Sequence, residues 1–288
     1  MHWLFVLLYL FTFTFTFSVR GEELPKSVQA ELLANVAKIK AGDAFMVGVL
    51  LKIDTGWHIY WKNSGDTGLP TSFSLTFPDG FRAGPVLWPV PVSFSRSGGI
   101  IDYGYEKSVM LLSEVEAPSK LSHGSAIPVN AEVSWVSCEE ICIPGGSNLE
   151  LTLPVGDSTQ LANERLFNEW EKRLPVDADS PNSPFLAKIK KNAGSQDKSL
   201  NFTVSLDWSF TPTDVEWFPV AGRFFDVRNI LVRTKGRQGI ITFTAQLLPG
   251  QNLHSNVLET VVAYTNTKGE RSGVTLPIQL EKANNSYN

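Results

Sequence analysis

Apolar and polar residues alternate with a period of two along most of this chain, the pattern of strands that bury one face. Phe45, Val47, Val49 and Leu51 alternate without a break, and residues 28–39 and 44–53 read as two strands joined by a turn at Ala41-Gly42-Asp43. An aromatic strand follows, Gly56-Trp57-His58-Ile59-Tyr60-Trp61, and runs into the glycine-rich stretch Gly65-Asp66-Thr67-Gly68-Leu69-Pro70. Phe73, Leu75 and Phe77 mark a further strand that Pro78-Asp79-Gly80 ends, while the prolines of Trp88-Pro89-Val90-Pro91 keep that segment out of a central ladder. Residues 98–107 form a glycine-punctuated hairpin carrying Tyr103 and Tyr105, and residues 109–115 and 127–136 complete the first set of strands. Val133 and Trp135 continue the alternation toward Cys138, and Pro144-Gly145-Gly146 reads as the turn that ends the run.

The period changes once. Residues 158–174 read as one helix with Leu166, Phe167, Trp170 and Leu174 on a single face, followed by a linker at 175–184 that holds three prolines and two aspartates. Alternation then resumes at residues 202–206, 215–220, 240–247, 257–264 and 274–280. The pattern therefore predicts an all-β protein in two units: a first β domain over 22–156, the helix and linker over 157–184, and a second, smaller β domain over 185–288. Seventeen prolines and 22 glycines fit many short strands and turns.

Composition narrows the setting. Residues 4–17 form an apolar run of signal-peptide length, with small residues after it and cleavage expected near Gly21, although only His2 precedes the run and no Lys or Arg does. Residues 1–21 are thus expected to be a signal peptide and the protein to be exported, where disulfides persist. No later stretch is long and apolar enough for a membrane helix. With 25 basic against 29 acidic residues, no basic surface dominates, which argues against nucleic acid as a partner.

The chemistry on offer is concentrated in Cys138-Glu139-Glu140-Ile141-Cys142, which contains the only two cysteines. Pro144 and the β-branched flanks favour a strand end over a helix, with Glu139-Glu140-Ile141 as the loop between the thiols. Three readings stand. A stabilising disulfide is the blandest, yet closing so short a loop contributes only about 2 kcal/mol, half of what a long inter-sheet bridge gives. A metal site needs more ligands than two thiolates, and His58, His123 and His254 are scattered, although two sulfurs would suit copper(I). Redox exchange fits the spacing, but Glu139 and Glu140 disfavour a thiolate and no neighbouring residue in the sequence supplies a compensating cation. His58 and the three aromatics around it are expected in the core sooner than in a ligand site.

Taken in order, Gly56-Trp57-His58-Ile59-Tyr60-Trp61-Lys62-Asn63, Gly65-Asp66-Thr67-Gly68-Leu69-Pro70, Trp88-Pro89, Tyr103-Gly104-Tyr105 and Val133-Ser134-Trp135 with Cys138-Glu139-Glu140-Ile141-Cys142-Ile143-Pro144 resemble the N-terminal periplasmic domain of the protein-disulfide reductase DsbD. The resemblance covers about residues 28–155 and lies toward the branch that includes the ScsB-type suppressors of copper sensitivity; it is weaker over 185–280. It implies an immunoglobulin-like β-sandwich, followed here by a second smaller β-sandwich. It also implies a periplasmic location and a catalytic pair, Cys138 and Cys142, with Cys142 forming the mixed disulfide and Cys138 resolving it. Tyr103 and Tyr105 are matched to an aromatic cap over the cysteines. The partners implied are a membrane-embedded thiol-disulfide electron donor and thioredoxin-like periplasmic proteins, in the family setting of cytochrome c biogenesis and copper tolerance. No cofactor and no resident metal are implied. The alternative is a non-catalytic binding module for copper or for a membrane redox complex. The cysteine spacing is three residues where the enterobacterial form has five, and the sequence holds no counterpart of the family's membrane and thioredoxin-like domains.

Overall fold

The structure is a computed structural model that describes residues 27–192, 199–220, 225–248 and 257–280. The expected signal peptide and His254 lie outside the described residues. Within them the chain is almost entirely β. The first unit contains β1 (Val28–Ala34), β2 (Val36–Lys38), β3 (Ala44–Ile53), β4 (His58–Gly65), β5 (Ser72–Thr76), β6 (Arg82–Ala83), β7 (Val92–Ser95), β8 (Ile101–Glu106), β9 (Ser108–Glu116), β10 (Ala126–Cys138) and β11 (Cys142–Pro154). These form an immunoglobulin-like sandwich. One sheet runs β1-β3-β9-β6, the other β11-β10-β4-β8-β7, with β5 also paired to β10. Val47, Val49, Leu51, Val109, Leu111, Val129 and Val133 are fully or almost fully buried between them, which is where the period-two pattern places them.

The longest hairpin joins β10 to β11, in register from Ala126↔Pro154 to Cys138↔Cys142. Pro144-Gly145-Gly146 therefore lies inside a strand and is not the expected turn. Gly145 faces Trp135 in the register, and a Cβ there would fall 2.5 Å from the Trp135 indole nitrogen; a Cβ on Gly146 would fall 3.0 Å from the Val133 carbonyl oxygen. These glycines mark close approach across the ladder.

The helix is shorter than expected. Gln160–Leu161 forms β12 and pairs with β2, Asn163 takes a left-handed conformation (φ 52°), and α1 spans only Glu164–Glu171. Its apolar face is as predicted, but Phe167 and Trp170 are buried in the first sandwich's core, so the helix is part of that unit. The expected linker contributes β13 (Val176–Asp177), paired in parallel with a strand of the second unit.

That second unit comprises β14 (Phe185–Lys191), β15 (Ser199–Trp208), β16 (Thr213–Pro219), β17 (Phe225–Lys235), β18 (Gln238–Leu247), β19 (Val257–Leu258), β20 (Thr260–Thr265), β21 (Arg271–Thr275) and β22 (Ile278–Gln279). Its main sheets are β14-β15-β18-β17 and β13-β21-β20-β16. In the latter, β20 and the end of β16 are buried on both faces. Trp217 and Val262 point into the second core, while their neighbours Phe218, Val261 and Ala263 belong to the first. The Phe218 ring sits against Tyr103 (5.0 Å between centroids) and Trp61 (6.1 Å). Polar links reinforce the contact: Arg271 donates to the Pro91 carbonyl (2.7 Å) and pairs with Glu216 (2.6 Å), Glu216 accepts from Ser93, and Asn63 donates to the Pro219 carbonyl (2.6 Å).

Candidate functional site

Cys138 and Cys142 are disulfide-bonded and form the last register pair of the β10–β11 hairpin, with Cα atoms 4.2 Å apart. The two sulfurs are not equivalent. Cys138 is 0% exposed, whereas Cys142 stands at the surface beside Ile141, itself 60% exposed. Cys142 is therefore the sulfur open to solvent and Cys138 the enclosed one.

Strand parity decides what surrounds the pair. Cys138 lies opposite His58, which lies opposite Glu106; Tyr60 lies opposite Gly104, and Phe94 opposite Asp102. Side chains at these positions share the outer face of the sheet. On that face the Tyr60 hydroxyl sits 3.2 Å from the Cys138 sulfur and 4.0 Å from that of Cys142. Phe94 stacks on His58 at 4.5 Å. Arg96, from the turn after β7, places one guanidinium nitrogen 3.1 Å from His58 Nε2 and 3.4 Å from the Tyr60 oxygen, while its Nε pairs with Asp102 at 2.8 Å. Asp102 is 0% exposed and also accepts from the Thr67 amide (3.0 Å) and hydroxyl (2.7 Å).

The glycine-rich stretch is what makes this arrangement possible. Gly65 (φ 83°) passes so close to β8 that a Cβ would fall 2.4 Å from the Ile101 carbonyl oxygen, and Gly68 (φ 75°) lies on the Tyr60 ring, where a Cβ would be 2.1 Å from Cζ. Both need a left-handed backbone and neither tolerates a side chain, which accounts for two glycines three residues apart. Behind the disulfide, the Ser137 and Ser27 hydroxyls bond at 2.7 Å, and Ser137 also reaches the Ile143 carbonyl at 3.2 Å.

Burial and the adjacent Arg96 guanidinium hold the His58 pKa below its usual value, so the ring is neutral at neutral pH and its Nε2 accepts from Arg96, although Asp102 and Glu106 pull the other way. Glu139 and Glu140 are exposed. The Glu139 carboxylate lies over the Gly56 turn, where a Cβ would be 2.6 Å from Oε1.

Tyr103 and Tyr105 occupy the opposite face of β8, so the expectation that their rings cover the cysteines is corrected here. Both are core residues. Tyr105 donates its hydroxyl to the Pro89 carbonyl at 2.7 Å, and Tyr103 packs on Phe218. Burial pushes the Tyr103 hydroxyl pKa up to about 12 and that of Tyr105 well above the usual tyrosine value, so both keep their protons. The hairpin that carries them does reach the site, but through Phe94 and Arg96 on its other strand and turn. Of the aromatic run, Trp61 is core, as the sequence favoured, while Tyr60 and His58 belong to the site. Nothing in the spacing pointed to Arg96 or Phe94. Among the described residues there is no cluster of three or more His, Cys, Asp or Glu side chains that could hold a metal ion.

Fold and site together define an immunoglobulin-like domain whose single disulfide is presented at a hairpin end, half buried and half open. Residues 27–154 match the family described as Thiol:disulfide interchange protein DsbD, N-terminal. The crystal structure of the N-terminal periplasmic domain of ScsB from Proteus mirabilis shares the fold over most of the chain: TM-score 0.62 at 18% identity, covering 88% of this chain and 94% of that one. The DsbD N-terminal domain of Neisseria meningitidis in its reduced form covers 48% of this chain and 94% of its own, at 15% identity and a TM-score of 0.29. No curated protein matches. The family match and the disulfide together support thiol-disulfide exchange as the general chemistry.

Proposed function

We propose that this chain is a periplasmic thiol-disulfide exchange protein that receives electrons from a membrane-embedded dithiol donor and passes them to thioredoxin-like proteins through Cys138 and Cys142. The observation that carries this reading is the asymmetry of the pair: an exposed Cys142 sulfur bonded to a fully buried Cys138 that already has a hydrogen-bonding hydroxyl at 3.2 Å. In the reductive half-reaction a donor thiolate attacks Cys142 Sγ. A new donor–Cys142 disulfide forms, the Cys138–Cys142 bond breaks, and its electron pair stays on Cys138 Sγ. The donor's second thiolate then attacks its own sulfur in the mixed disulfide and releases Cys142. The donor has lost two electrons, this chain has gained them, and two protons end on the thiols. The oxidative half-reaction reverses these steps on a thioredoxin-like disulfide. The exposed Ile141 side chain (60%) beside Cys142 suits docking by a protein more than attack by a small charged thiol. The second sandwich serves as a buttress or docking module.

The test is a trap. A Cys138→Ser variant should accumulate a mixed disulfide between Cys142 and a thioredoxin-like protein, seen as a dithiothreitol-sensitive adduct by mass spectrometry, whereas Cys142→Ser should give none. Adducts forming equally on both sulfurs, or on neither while the wild-type pair resists every dithiol protein, would overturn the assignment.

A further inference from the structure

We infer that Arg96 is a positioning residue for this exchange, anchored by buried Asp102 so that its guanidinium holds the Tyr60 hydroxyl on the Cys138 sulfur and supplies the positive charge absent from the cysteine loop itself. The inference rests on the exchange reading of Cys138 and Cys142 and adds a determinant of its rate and potential.

Three features carry it. The first is the unbroken chain of contacts: Asp102 to Arg96 Nε at 2.8 Å, Arg96 Nη2 to the Tyr60 oxygen at 3.4 Å, and the Tyr60 oxygen to Cys138 Sγ at 3.2 Å. These distances keep the guanidinium within about 7 Å of the sulfur on which the electron pair lands, close to the range in which an opposite charge lowers a thiol pKa by about one unit or more. The second is orientation. Asp102 is fully buried and takes the Nε side of the guanidinium, with Thr67 satisfying its other lone pairs, so the Nη2 edge is turned toward His58 and Tyr60. His58, neutral at this position, accepts from Arg96 and adds no competing charge. The third is the electrostatic setting. The groups around the sulfurs are His58 and Tyr60 of β4, Glu106 and Asp102 of β8, Arg96 of the β7–β8 turn, and Glu139 and Glu140 of the cysteine loop. Arg96 is the one cation among them, set against four carboxylates. With Glu139 and Glu140 at the surface, where water screens them, the partly buried guanidinium has a disproportionate effect on a buried leaving sulfur.

When a partner thiolate attacks Cys142 Sγ, the pair of electrons released on Cys138 Sγ meets a hydroxyl already polarised by Arg96. A lower leaving-group pKa speeds that step and makes the disulfide more readily reduced.

The full chain is tested as wild type and as Arg96→Gln, Arg96→Lys, Tyr60→Phe and the double variant Arg96→Gln/Asp102→Asn. The double variant removes both charges of the buried pair and keeps a hydrogen bond between amides, which guards against a fold left with an orphan carboxylate. Reduction by dithiothreitol at pH 7, equilibration in glutathione buffers and thiolate absorbance at 240 nm against pH are measured with the melting temperature. Both Gln variants should be reduced about 3- to 10-fold more slowly, and the Cys138 thiol pKa should rise by about one unit. Tyr60→Phe should reproduce most of this loss, and Arg96→Lys should recover part of it. Unchanged rates and thiol pKa with only a lowered melting temperature would show that Arg96 merely braces the hairpin and would overturn the inference, while the Cys142 trap would still report on exchange itself.

Discussion

Gly68→Ala is the substitution whose effect the structure defines most closely. The Cβ would lie 2.1 Å from Tyr60 Cζ and within 2.5 Å of both Cε atoms, against the ~3.5 Å at which carbon atoms normally meet, so ring and loop must separate by more than 1 Å. The 3.2 Å contact between the Tyr60 oxygen and Cys138 does not survive a displacement of that size. Two costs combine. Placing alanine at φ 75° costs about 1 kcal/mol, and a buried hydroxyl that loses its partner costs about 1–3 kcal/mol. The expected destabilisation is about 2–4 kcal/mol, read as a lower midpoint of urea unfolding with the m-value unchanged. The reaction should change too: with the phenol moved off the sulfur, reduction by dithiothreitol should slow in the manner of Tyr60→Phe. A control at Gly98, also left-handed (φ 84°) but with open space around its Cβ, should show the backbone cost alone. Gly68→Ala matching Gly98→Ala in both stability and reduction rate would refute the claim that this loop fixes Tyr60.

Phe218→Ala, at a fully buried ring of the second unit that packs into the first core, should cost about 3–5 kcal/mol and lower a single cooperative transition; two separate transitions, with the first sandwich unaffected, would show the units to be independent. Tyr103→Ala and Tyr105→Ala should each lose stability on a similar scale without speeding reduction by glutathione, and faster reduction with an unchanged melting temperature would restore the cap. His58 has its native pKa held below the unfolded value of about 6.5, so its contribution is complete above that pH and is lost as the pH falls from there toward the native pKa. Melting temperatures at pH 7.5 and 5.5 should differ less for His58→Gln than for wild type.

The period-two pattern located the strands that bury one face, because burial there is decided by side-chain chemistry alone. It failed where another constraint took over. In β11 the segment Cys142 to Ser147 lies at the sheet edge with two glycines chosen for close approach to Trp135 and Val133, so a strand carried the composition of a turn. In β20 the run Thr260-Val261-Val262-Ala263-Tyr264 is apolar on both faces because it separates two cores, which the sequence registers only as a strand and not as a junction. The cysteine pair was legible from its spacing, and the motif from Gly65 to Pro70 from its composition. Arg96 was not, since its partners Asp102, His58 and Tyr60 come from two other strands and meet it only through register. The tyrosines were misassigned for a related reason: adjacent positions of one hairpin face opposite ways, and a shift of one residue exchanges site for core.

The β10–β11 ladder runs for 13 residues on each strand, and the sulfur bridge sits at its very last rung. A bond that closes a loop of about 5 residues constrains the unfolded chain by only about 2 kcal/mol, so the backbone pairs behind it keep the hairpin shut whether the sulfurs are joined or apart. The reactive bond is thus mechanically idle. On the proposed exchange, the redox state at the tip alternates while the scaffold keeps one shape, and a partner reads the loaded or empty form at the exposed Cys142 sulfur, not from any rearrangement farther away.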